Sequence, residues 1–217
     1  MITSLLTFIL FLNLNSTPPG TKQVKNYHVD TTEILNIHWL EYIHHRENEI
    51  GTADRHKLLP DSANTWYRKS ENHFKPIVLI SYEQALDYCA WRSKVVSKKL
   101  GKNVTYRLPT ASEWTAIAEE IIKTDLKQQE KNLAKTKKAV SKITGQYFLI
   151  DSRKQEKSNN SIYNLFDNVS EMTAEKGVSM GANNHQLFDL KENANRTISY
   201  DGPSPYLGFR CIVEIEE

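Results

Sequence analysis

Few side chains in this chain could do chemistry, and the sulfur atoms come first. There are only two cysteines, Cys89 and Cys211, 122 positions apart. Two thiols can close a structural bridge or cycle as a redox pair, and catalytic dithiols usually stand close together in sequence. Gly177-Val-Ser-Met-Gly181 has the spacing of a nucleophile elbow. An elbow needs an acid and then a histidine further along the chain, whereas His185, the only later histidine, precedes Asp189 and Asp201. The match is therefore one of chance. His38, Glu41 and His45 share a helical face and could hold a transition metal. That helix must also pack Leu35 and Tyr42, so ordinary surface histidines are expected there. Arg107 and Arg210 lie among apolar and aromatic residues, where a guanidinium must find carboxylates or carbonyls for its donors. Structural ion pairs are expected for both, with Glu113 as a partner, rather than anion binding.

Local signals set out the elements that must position these groups. Asp30-Thr-Thr-Glu33 is a capping pattern and predicts a helix carrying Leu35, Trp39, Tyr42 and Ile43 on one face. Residues 44–76 lack periodicity and read as loop pinned by aromatics such as Trp66. Lys75 to Ile80 reads as a short buried strand. Ser81 with Gln84 opens a second helix, which places Ala85, Cys89, Arg92 and Val96 toward the core and stops at Gly101. Thr110 and Glu113 open a third, with Trp114, Ile117, Ala118, Ile121 and Ile122 at amphipathic spacing. From Lys123 to Lys142 seven lysines face only Asp125 and Glu130, a net +5. This segment could meet an acidic partner. A solvated helical extension is the expectation, because Leu126, Leu133 and Val140 recur every seven residues while the alternate positions hold Gln129 and Thr136. Residues 151–161 are polar and loop-like.

Composition bounds the rest. At 217 residues the chain fits one domain with a real core. A formal charge of +2, from 28 basic and 26 acidic residues, creates no global field that would select nucleic acid or a membrane. Ten Tyr and four Trp at a mean hydropathy of −0.55 suit an irregular α+β domain that buries large rings beneath polar loops. Ile2 to Leu14 is apolar, too short to span a bilayer and suited to the core of a signal peptide over residues 1–17. Export to the periplasm or cell envelope is therefore expected, with the membrane met only through the export machinery.

Several islands, in order, carry a family resemblance: Asp30-Thr-Thr-Glu-Ile-Leu-Asn36, Ser81 to Trp91 around Cys89, Tyr106-Arg-Leu-Pro-Thr-Ala-Ser-Glu-Trp114, Asn164 to Thr173, and Leu207-Gly-Phe-Arg-Cys211. Together they resemble the formylglycine-generating enzyme, or sulfatase-modifying factor, family. The Pro-Pro-Gly-Thr opening, Leu59-Pro-Asp61 and Asn168-Val-Ser-Glu-Met172 are similar to a branch with gliding-motility and secretion-associated proteins of gliding bacteria. The resemblance implies an α+β fold related to C-type lectins, with little regular secondary structure and two or three main helices around small sheets. It covers residues 18–217 as a single domain, with the Lys-rich segment at about 123–142 as a helical insertion.

The resemblance also implies a structural disulfide between Cys89 and Cys211, worth about 4–5 kcal/mol at most in the chain-entropy model. It implies a calcium site using Asp167 and Glu171, shortened because Asp167 runs directly into Asn168. Active members carry a copper-binding cysteine pair where this chain has Ala182, Asn183, Asn184 and His185, with no thiol before Cys211. Without thiolates there is no soft site for Cu(I), so no copper is expected and Asn183, Asn184 and His185 form an altered pocket. These departures imply a non-catalytic structural or binding platform of the cell envelope with envelope proteins as partners. The alternative is a formylglycine-type oxidase or another metal-dependent enzyme of the same fold.

Overall fold

The computed structural model describes residues 17–142, 149–151 and 162–216; the apolar run Ile2 to Leu14 and most of the polar stretch 151–161 lie outside the described residues. The two ends of the domain meet in one sheet. β1 (Thr21–Val24) and β2 (Tyr27–Asp30) form a hairpin, and β2 pairs with the closing strand β8 (Ile212–Ile215), which pairs in turn with β3 (Val104–Arg107). All these pairings are antiparallel, in the order β1-β2-β8-β3. A second sheet has the order β6-β5-β4-β7, built from β4 (Ser170–Met172), β5 (Val178–Met180), β6 (Thr197–Ser199) and β7 (Leu207–Gly208). Its β4–β7 contact is parallel.

Three long helices cover these sheets: α1 (Asn36–Ile50), α2 (Tyr82–Leu100) and α3 (Ala111–Val140), and a short α4 (Leu190–Asn195) follows β5. The second and third start where their capping boxes predict. Ser81 Oγ accepts from the Gln84 N–H and Thr110 Oγ1 from the Glu113 N–H, and each partner side chain returns a bond to the cap. Gly101 ends α2 in the left-handed region at φ 63°, a conformation that a glycine adopts without a Cβ clash.

The local reading misses in four places. Residues 44–76, read as loop, begin inside α1, which runs to Ile50, and a 3-10 helix follows over Thr52–Leu58. Asp30 and Glu33 do not cap a helix: Asp30 ends β2 and Glu33 is fully buried. α1 begins five residues after Asp30's next neighbour, at Asn36, where His38 Nδ1 accepts the Leu35 N–H at 3.3 Å. Residues 76–80 of the strand predicted from Lys75 are buried, but the segment joins no ladder beyond a single Leu35–Pro76 bridge. Finally, the Lys-rich segment is the second half of α3 and packs on the body through its polar face. Asp125, Gln129, Asn132 and Thr136 are buried with Leu133, while Leu126 is 45% exposed. The heptad apolar positions therefore do not define the packed face. The helix departs from helical geometry at Asp125 (φ −146°, ψ 34°), which re-aims the half that follows.

The core has two main parts. One gathers Trp39, Tyr42, Tyr88, Trp91 and Phe209 beneath α1 and α2, with Trp39 stacked on Tyr88 at 5.6 Å and edge-on to Phe209 at 6.3 Å. The other packs Trp114, Ile117, Ala118 and Ile121 of α3 against Val29, Leu165, Phe166, Met180 and Ile212. Each large apolar side chain buried in this way contributes about 1.5–3 kcal/mol.

Candidate functional site

A layer of charged and amide side chains runs through this interior, and the strand pairing builds it. Phe209 and Cys211 point into the aromatic cluster, while the intervening Arg210 is 1% exposed and reaches Glu171 on β4. The guanidinium holds the Glu171 carboxylate at 2.6–2.7 Å through Nε and Nη2. It also donates to the Asp30 carbonyl at 3.1 Å and the Tyr163 carbonyl at 3.0 Å. Trp114 Nε1 donates to the same carboxylate at 2.8 Å. Burial works against the Arg210 charge, yet Glu171, then Glu33 and Asp30, outweigh it and raise its pKa above the ordinary value. Arg107 sits elsewhere, on β3 at the surface end of α3. It forks onto Glu113 at 2.7 and 2.8 Å and reaches Glu214, and this bonding depresses the Glu113 pKa to about 2.

Glu33 lies in the same layer. Its two oxygens accept from Asn164 Nδ2 at 3.1 Å and Asn168 Nδ2 at 2.8 Å. Burial raises its pKa from 4.5 to about 7, against the pull of Arg210. Asn164 and Asn168 stand at φ 55° and 68°, left-handed positions that asparagine tolerates better than most residues. Asn168 also accepts the Ile150 N–H at 2.7 Å, and its own N–H donates to Asn184 Oδ1 at 2.9 Å.

The altered pocket is therefore filled by structural bonds. Asn183 Nδ2 donates to Ser170 Oγ at 3.0 Å, and Asn183 Oδ1 accepts the His185 and Gln186 N–H groups, closing a turn. Asn184 binds the Asn168 backbone, and His185 is exposed and stacked on Tyr206 at 5.0 Å. Gly181 precedes them at φ 83°, where a Cβ would lie 3.0 Å from the Trp114 ring. Ser179, the elbow serine, is buried in β5 and donates to the Ile198 carbonyl at 2.9 Å.

Calcium does not fit the Asp167 and Glu171 pair. Both Glu171 oxygens are gripped by Arg210, so a divalent ion there would sit against a guanidinium. Asp167 turns instead to the Thr136 hydroxyl of α3 at 2.6 Å. His38 is half-buried, burial followed by the Arg92 charge lowers its pKa, and its Nδ1 accepts the Leu35 N–H. The two thiols face each other with 3.4 Å between sulfurs, both buried. Burial and the Cys89 contact push the Cys211 pKa well up, so it is a poor thiolate ligand or nucleophile.

Beside the charged layer opens a cavity of about 430 Å3 between the start of α1 and α2, lined by Asp30, Glu33, His38, Tyr88, Trp91 and Arg92 among others. Arg92 bonds Asp30 Oδ2 at 2.8 Å, but Asp30 Oδ1 and the Trp91 Nε1 donor have no hydrogen-bond partner, and both residues are more than nine-tenths buried. Both atoms are themselves sealed from solvent, and the cavity beside them has a mixed lining of aromatic, aliphatic and charged side chains. A larger groove, about 930 Å3, lies over β2, β8 and β3 beside the Arg107–Glu113 pair.

Residue types alone do not disclose this layer. Asp30 and Glu33 read as caps, Asn164 and Asn168 stand in an island of the family resemblance without a role of their own, and Arg92 is marked only as facing the core. The one usable signal is that Glu33 is followed directly by Ile34 and Leu35, a pair too apolar for a solvated helix start.

Comparison with known proteins comes to the same architecture. The sequence matches the sulfatase-modifying factor enzyme 1-like domain over residues 7–215. No curated protein matches it. Among solved structures, the crystal structure of CarF superposes with a TM-score of 0.52 at 13% identity, over 88% of this chain and 87% of that one. PvdO from Pseudomonas aeruginosa aligns with a TM-score of 0.39 at 15% identity, over 65% of this chain and 63% of that one.

Proposed function

Since the chain belongs to the sulfatase-modifying factor enzyme 1-like domain family, we propose that it serves as a non-catalytic binding platform of the cell envelope. We place it beside the gliding and secretion machinery to which its sequence islands bear a likeness. The observation that carries this reading is the fate of the polar loop. Asn183 and Asn184, standing where the resemblance implies copper-binding thiols, spend their amides on Ser170, Asn168 and the turn backbone. The only two thiols are elsewhere, in contact with each other inside the core. Copper-dependent oxidation needs thiolates for Cu(I) and for the substrate sulfur, and these residues do not fit it. What the fold offers instead is a paired, charged interior beside a cavity lined by aromatic, aliphatic and charged side chains, among them Tyr88, Trp91 and Arg92. The test is incubation of the purified protein with a sulfatase-motif cysteine peptide, copper and oxygen, followed by mass spectrometry of the peptide. The peptide is expected unchanged. Formylglycine formation that survives Cys89→Ser and Cys211→Ser would overturn the reading and direct attention to Asn183, Asn184 and His185.

A further inference from the structure

The two halves of α3 are held to the body by different chemistry. Before the break at Asp125 the helix buries Trp114, Ile117, Ala118 and Ile121, all apolar, and Trp114 Nε1 ties its start to the Glu171 carboxylate. Beyond the break it buries Gln129, Asn132, Leu133 and Thr136, of which only the leucine is apolar. A hydrogen-bonded amide or hydroxyl exchanges water partners for protein partners on burial, so it stabilises far less than a buried isoleucine or tryptophan. Lys131 and Lys135 make contacts of their own, but both are exposed, where polar contacts add little. A narrow crevice lined by Gln129, Asn132, Leu133 and the loop 164–167 runs along this joint, so the second half is also less closely packed than the first.

We propose that residues 126–140 form a hinged cover, pivoting at Asp125, that lifts from the loop 164–167 while the rest of the domain stays folded. At φ −146° and ψ 34° the backbone of Asp125 already interrupts the helix, so the first half can stay in place when the second leaves. The latch is the Thr136 hydroxyl, which donates to the buried Asp167 carboxylate at 2.6 Å. Lifting uncovers the sides of Leu165 and Phe166 that face the crevice, together with Asn164 and Asp167, so the open form presents a mixed apolar and polar surface that the closed form hides. A free helix of this length is marginal in water, and a lifted cover therefore loses its helical hydrogen bonds and exchanges its amide hydrogens with solvent. The cover does not depend on the function proposed above.

The test is hydrogen–deuterium exchange of the whole protein under native conditions, read by mass spectrometry of peptides from 112–121 and from 126–140. After correction for intrinsic rates, 126–140 is expected to exchange roughly a hundredfold faster than 112–121. Ile117→Val trims the apolar half, and Ile117 stays packed when the cover alone lifts. That change should therefore speed exchange in 112–121 roughly two- to tenfold and leave 126–140 unchanged. Thr136→Val keeps the shape of the side chain and removes the latch, so it should speed exchange in 126–140 roughly tenfold. Equal protection of the two peptides in the wild type, or an Ile117→Val effect that is the same in both, would make α3 one cooperative unit and overturn the proposal. So would unaltered exchange of 126–140 in Thr136→Val.

Discussion

Replacing Glu33 by Gln asks whether the buried layer stores a proton. In the folded protein the carboxyl is fully buried and titrates near 7, while in the unfolded chain it titrates near 4.5. A raised folded pKa means the native state binds the proton more tightly, so the associated stability is fully present below pH 4.5 and is lost as pH rises through 7. At about 1.4 kcal/mol per pH unit, the displacement is worth about 3 kcal/mol between pH 4.5 and 8. Gln keeps the shape of the protonated acid and cannot titrate, and the Asn164 and Asn168 amides can turn to present whichever atom it needs. The variant should therefore gain on the wild type by about 3 kcal/mol across this range, or about 6–12 °C in Tm for a domain of this size. Thermal or urea melts of both proteins at half-unit steps from pH 4.5 to 8.5 read the difference, and any constant packing penalty cancels in the slope. Parallel curves would refute the reasoning and show that Glu33 is ionised throughout.

Three further outcomes follow from the same interior. Arg210→Ala strands the Glu171 carboxylate in a site 1% exposed, so a loss of about 3–5 kcal/mol is expected, and Arg210→Met/Glu171→Leu should lose much less than the two single changes added together. Calcium at millimolar concentration is expected to leave Tm unmoved, because Glu171 is committed to Arg210; a Tm that climbs with the logarithm of free calcium would contradict that assignment. In protein recovered from an oxidising compartment, non-reducing peptide mapping is expected to find Cys89 and Cys211 joined, and Cys211→Ala should lower Tm by several degrees; two free thiols in that sample would end the idea of a structural bridge.

How much of this was legible beforehand follows from the range of each interaction. The starts of α2 and α3 and the left-handed stop at Gly101 depend on residues three or four positions apart, so the sequence alone determined them. The α+β class and the core-facing side of α2 followed from composition and periodicity in the same way. The order of islands Ser81 to Trp91, Tyr106 to Trp114 and Leu207 to Cys211 likewise pointed to the family before any coordinates did. The polar interior was not legible, because its bonds join residues distant in the chain: Glu33 to Asn168 across 135 positions, Arg210 to the Asp30 carbonyl across 180. Asp30-Thr-Thr-Glu33 looks like a cap, but β2 must pair with β8, and that pairing carries both acids into the core before α1 begins. The same limit explains α3. Its polar alternate positions, Gln129 and Thr136, marked a solvated extension by local rule, whereas Asp167 accepts from the Thr136 hydroxyl and the polar side turns inward. Neighbours along the chain decide where a helix starts; which side it buries is decided by the partners that the tertiary fold brings to it, because a buried polar group must be paired wherever its partner stands.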